Sequence, residues 1–106
     1  MSEKFDRINQ LIPFYQQLLT EKQQQILNYY YAEDLSLGEI GEILGISRNA
    51  VYDALRKSVA LLEEYEKKLH LSENYDFRIA VYQKINDLAD QNIRELVKTL
   101  IQKEEQ

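Results

Sequence analysis

Residues 37–58 read LGEIGEILGISRNAVYDALRKS, and their spacing decides the fold. Ile40 and Leu44 form an apolar pair one helical turn apart. Gly45 follows the last apolar position, where a glycine can take the left-handed conformation that ends a helix. Ile46 turns inward and Ser47 caps a second helix, with Val51 and Leu55 as its inward positions. Gly41, four residues before Gly45, puts a residue without a side chain where two steeply crossing helices must meet. The stretch 36–58 therefore reads as a helix-turn-helix.

Upstream, a segment from residue 3 carries Phe5, Ile8, Leu11, Ile12, Tyr15, Leu18 and Leu19 at helical spacing. Pro13 lies inside it, and a kinked, continuing helix is expected. T-E-K-Q, starting at Thr20, is a capping box. It opens a helix running to about Ala32, with Ile26, Leu27, Tyr30 and Tyr31 on its inner side. Glu33, Asp34 and Leu35 break it. S-L-G-E, starting at Ser36, is a second capping box.

Downstream, the second helix of the motif extends along Val51, Leu55, Val59, Leu62 and Leu69. A turn is expected at residues 71–74, followed by one long helix over 75–102. Its apolar stripe runs through Phe77, Val81, Ile85, Leu88, Ile93, Leu96, Val97, Leu100 and Ile101. At 1.5 Å per residue such a helix spans roughly 40 Å. The fold class expected is all-α: a helical domain over 1–71 containing the helix-turn-helix, and a C-terminal helix over 72–106 for dimerisation or packing. Ile93, Leu96, Val97, Leu100 and Ile101 are the expected dimer contacts, because an uncovered stripe of that size is rare on monomers. A two-fold homodimer is the simplest partner.

Composition agrees with a helical, non-secreted protein. The chain has 106 residues, three glycines and one proline, with 44% hydrophobic residues. No apolar run reaches the ~20 residues of a membrane span, so no membrane partner is expected. MSEKFDRINQ lacks the basic-then-apolar order of an export signal. Cysteine is absent, and a cytoplasmic location is expected. With 13 Lys and Arg against 18 Asp and Glu, the net charge is −5, which gives no general attraction to nucleic acid.

With Val51 and Leu55 inward, the outer face of the second helix presents Arg48, Asn49, Tyr52, Asp53 and Arg56, flanked by Lys57 and capped by Ser47. In a nucleic-acid reader such a face meets base edges and phosphates. Arg48 suits guanine and Asn49 adenine, while Arg56 and Lys57 suit phosphates. Ser47, Arg48, Asn49, Tyr52, Arg56 and Lys57 are the candidate nucleic-acid-binding residues. Residues 36–58 hold three cations and three carboxylates (Glu39, Glu42, Asp53), so phosphate neutralisation is limited. No enzyme is expected. The one histidine, His70, reads as a surface or capping residue, and no nucleophile, phosphate loop, metal or cofactor site is evident. Glu63, Glu64 and Glu66 read as a solvated helix face. Tyr29, Tyr30 and Tyr31 read mainly as packing residues, with stacking on unpaired RNA bases as the other use of such rings.

LTEKQQQILNYYYAEDLSLGEIGEILGISRNAVYDALRK followed by LLEEYEKKL resembles the YlxM family of small bacterial proteins, most closely at SLGEI and SRNAVYD. The motif also resembles the promoter-reading C-terminal region of sigma factors, which commonly carry cationic or amide side chains where Tyr52 and Asp53 stand. The resemblance implies an all-helical cytoplasmic regulator of the signal recognition particle pathway, since genes of that family neighbour those of the particle's GTPases. The particle's RNA or GTPase are the partners implied, and a DNA-binding transcription regulator is the alternative.

Overall fold

The structure is a computed structural model that describes residues 3–105. Among the described residues all regular structure is helical, and the chain divides into two compact units, Met1–Leu69 and His70–Gln106.

The first unit begins with α1 (Glu3–Tyr15), which continues through Pro13 and tightens into a 3-10 turn over Gln16–Leu18. That tightening leaves Leu18 exposed, against the expected inward stripe, while Leu19 is buried. α2 (Glu21–Leu27) starts at a complete capping box, with the Thr20 hydroxyl accepting from the Gln23 N–H and the Gln23 side chain accepting from the Thr20 N–H. It widens into a π turn over Asn28–Ala32. α3 (Leu37–Leu44) starts at the second capping box, Ser36 with Glu39. α4 (Arg48–Leu69) runs through the middle of the unit and packs against α1, α2 and α3.

The core is one cluster: Ile8, Leu11, Tyr15, Leu19, Ile26, Leu27, Ile40, Val51, Leu55 and Leu62. Ser58 is also fully buried, its hydroxyl donating to the Ala54 carbonyl at 2.8 Å. That local bond lets a small polar side chain occupy the inner line of α4 without an unmatched donor. The carboxylates of α4 are not all solvated. Glu66 is buried and accepts from the Tyr15 hydroxyl at 2.5 Å, and Glu63 takes a forked pair of bonds from Arg7. Burial without a donor would cost a carboxylate dearly, and Tyr15 supplies that donor from α1. Leu69, expected in the stripe, is exposed at the end of the helix.

The second unit corrects the expectation of one long C-terminal helix. α5 (Leu71–Leu88) begins directly after His70, so there is no turn at residues 71–74. His70 itself takes a left-handed conformation, φ 55°, and makes the break. α5 stops before Ala89 and Asp90, and α6 (Gln91–Glu104) follows. Asp90 is extended, and its carboxylate accepts the Ile93 N–H at 3.0 Å, an N-cap that starts a new helix. Bonds from Arg94 to the Asn86 carbonyl and from Arg78 to Glu104 pair positions that sum to nearly the same value, the register of an antiparallel hairpin. Val97 is buried in this hairpin and Ile101 is half-buried. Ile93, Leu96 and Leu100 are exposed, as are Phe77 and Leu88 on α5. Of the five residues expected to form a dimer contact, Val97 is therefore already covered by its own chain. No helix among the described residues is long and apolar enough to cross a membrane.

Candidate nucleic-acid interface

The interface candidate is built on the junction of α3 and α4. Gly45 ends α3 at φ 70°, where a side chain would be strained. The Ile46 N–H then donates back to the Gly41 carbonyl at 3.0 Å, the 6→1 bond of a Schellman turn. A Cβ on Gly41 would lie 2.7 Å from the Ile46 carbonyl oxygen, a backbone atom that cannot swing away. Gly41 is thus required by the turn that follows it. The Ser47 hydroxyl accepts the Ala50 N–H at 3.0 Å and starts α4.

With Val51 and Leu55 anchored in the core, the opposite side of α4 is solvent-facing. Ser47, Arg48, Asn49, Tyr52, Asp53, Arg56 and Lys57 are all exposed; Ser47 caps α4, and the others belong to its first three turns. Among the described residues, Arg48, Arg56 and Lys57 enter no ion pair, whereas Arg7, Lys68 and Arg78 each pair with a glutamate. Lys22, Lys84, Lys98 and Lys103 also enter no ion pair among the described residues; what sets this face apart is three such cations within ten residues of one helix. Glu39 is held in the capping box, where bonds from the Ser36 backbone N–H and hydroxyl region keep its carboxyl below the ordinary value.

Sequence reasoning missed a groove beside this face. Tyr52 and Arg56 form one wall, and Tyr30, Tyr31 and Phe5 the other, over a floor that includes Leu55. The volume is about 360 Å3. The Phe5 and Tyr31 ring centroids are 4.8 Å apart, and those of Tyr30 and Tyr31 are 5.0 Å apart and edge-on. Burial pushes the Tyr31 phenol up from its ordinary pKa. In an ordinary α-helix successive residues point about 100° apart. The π turn holds more residues per turn, and both Tyr30 and Tyr31 reach the groove from it. The run of three tyrosines was visible in the sequence; the π turn and the arrival of Phe5 from α1 were not.

Comparison with known proteins agrees with a helix-turn-helix protein. Residues 2–103 match the family described as "Putative helix-turn-helix protein, YlxM / p13 like". A UPF0122 protein of Pediococcus pentosaceus is 47% identical over 93 residues, covering 88% of this chain and 82% of its own. One from Oceanobacillus iheyensis is 44% identical over 101 residues, covering 94% and 96%. A third, from Shouchella clausii, is 53% identical over 78 residues, covering 74% and 72%. The chain belongs to the UPF0122 family of YlxM-like helix-turn-helix proteins.

Proposed function

We propose that this protein is a non-enzymatic regulator that binds nucleic acid through the first three turns of α4, with the RNA of the signal recognition particle as its target. The observation that carries the reading is the set of exposed cations on that face, Arg48, Arg56 and Lys57, with no partner among the described residues. The particle enters through the resemblance to the YlxM family. Three cations and three carboxylates over residues 36–58 supply little counterion release toward either polymer, so RNA is preferred over duplex DNA on that resemblance. The GTPase of the same particle is the protein partner this regulation would affect.

Fluorescence anisotropy with labelled particle RNA and with a random duplex DNA pool, at two salt concentrations, tests the reading. RNA should bind more tightly, with a slope of log affinity on log salt of about −2 to −3 if all three cations meet phosphates. Arg48→Ala combined with Arg56→Ala should weaken binding and leave helicity unchanged, because both side chains are exposed. Sequence-selective duplex binding with no affinity for the particle would favour the second reading, a DNA-binding transcription regulator. That reading draws on the helix-turn-helix itself, which presents Arg48 and Asn49 at the leading end of its second helix, as major-groove readers do.

We also propose a homodimer through the second unit. Ile93, Leu96 and Leu100 remain exposed on α6 after the hairpin has formed, and a second copy is the simplest cover.

A further inference from the structure

We infer that the groove between Tyr52 and the Phe5–Tyr30–Tyr31 cluster takes a single unpaired nucleobase of an RNA strand whose backbone runs along α4. The inference rests on the nucleic-acid reading of α4 and deepens it, because it makes the target a loop or single-stranded segment rather than a duplex.

Three features select this occupant. The walls are aromatic: Tyr52, Tyr30, Tyr31 and Phe5 converge on one opening. Flat rings are what an unstacked base exchanges its neighbours for, and every base has a π-face to offer. The only charged side chain lining the groove is Arg56, with no lining carboxylate among the described residues. A guanidinium at the rim can stack on the base or hold its phosphate. The groove is also continuous with the cationic face, since Tyr52 and Arg56 belong to both. Arg48, one helical turn before Tyr52, and Lys57, next to Arg56, are exposed and would supply charge for the phosphates flanking the inserted nucleotide. An apolar protein side chain would fill the rings but would have no use for the row of cations. Tyr52 is 51% exposed and takes part in no ring pair among the described residues, so its outer wall is free to close on a base.

The full-length chain is titrated against a labelled single-stranded RNA oligomer of mixed sequence and against the same RNA annealed into a duplex. Tyr52→Ala should lower affinity for the single strand about 5- to 150-fold, the loss typical of one stacked base, and lower the weaker duplex binding by much less. Tyr52→Phe should keep wild-type affinity, because it keeps the ring. The exposure of Tyr52 means that none of these substitutions threatens the core. Tyr52→Trp adds the only tryptophan in the chain, and its emission should be quenched on RNA binding. If Tyr52→Ala binds the single strand as wild type does, or weakens both forms equally, the groove does not hold a base while the α4 face still binds nucleic acid. If the wild-type chain binds neither form, the α4 reading itself fails and the groove falls with it.

Discussion

The two units solve the same problem, hiding one side of each helix, to very different extents. Among the described residues, ten apolar side chains are buried in the first unit and one, Val97, in the second. The first surrounds α4 with three other helices, so each residue on its inner line meets several elements. The second is a pair of helices, and a pair can cover only the seam between its members. Phe77, Leu88 and Leu96 stay exposed at 70%, 90% and 66%. A three-sided core fixes its surface residues in place; a two-helix hairpin leaves one apolar side open.

The sharpest test of that contrast is truncation on each side. Leu62→Ala removes a fully buried side chain of α4 and should cost about 2–5 kcal/mol, by lost burial and the cavity left behind. Leu88→Ala removes an equal number of atoms from a nearly bare position and should stay within about 0.5 kcal/mol. Urea denaturation followed by circular dichroism measures both. Equal costs would mean that Leu88 is covered in solution.

Gly41→Ala comes next. The added Cβ would meet the Ile46 carbonyl at 2.7 Å, and the turn must shift to admit it. Overpacking of this kind costs about 1–3 kcal/mol. Gly38→Ala on the same helix is the control, since its nearest neighbour would be the Ser36 hydroxyl at 3.9 Å. Thermal melting of the two variants should separate them, with Gly38→Ala no less stable than wild type because alanine favours helix.

Leu96→Glu addresses the second unit. Its side chain is exposed in the single chain, so the hairpin should fold unchanged. In a homodimer the new charge would be desolvated, and sedimentation equilibrium should show the mass moving toward the 12.6 kDa of one chain. A wild-type protein that already sediments as one chain at micromolar concentration removes the dimer outright.

The same contrast explains what could be read from sequence. The helix-turn-helix was legible because each of its constraints is local. The Ser36–Glu39 box, the left-handed Gly45 and the Ser47 cap are all written within a few residues of where they act. The break between α5 and α6 was hidden because Ile85, Leu88, Ile93, Leu96 and Val97 keep helical phase across it. Periodicity alone cannot see a two-residue interruption; Asp90 as an N-cap was the available signal. The burial of Glu66 depends on Tyr15, 51 positions away, and the groove depends on Phe5 meeting a π turn. Such pairings arise only once the chain has folded.

The smallest expected effect lies in the capping box of α3. Glu39 accepts the Ser36 N–H at 3.0 Å, and that bond holds its carboxyl below the ordinary value of 4.5. A carboxyl whose folded pKa is lowered contributes stability above its unfolded pKa, and that contribution is lost as pH falls through the folded value. Wild-type stability should therefore decline below about pH 4.5 partly through this group. Glu39→Gln keeps an acceptor for the N–H and carries no titrating proton. Its acid decline should be shallower than that of wild type, and its stability near neutrality slightly lower, because the negative charge at the start of α3 is gone. Denaturant midpoints at several pH values between 3 and 7 measure the difference. The group is fully exposed, so salt should shrink the charge part of the effect while leaving the hydrogen-bonded geometry in place. Parallel curves for the two proteins across that range would mean that the box is held by the Ser36 hydroxyl alone, and that the local signal at Glu39 marks the helix start without contributing to its stability.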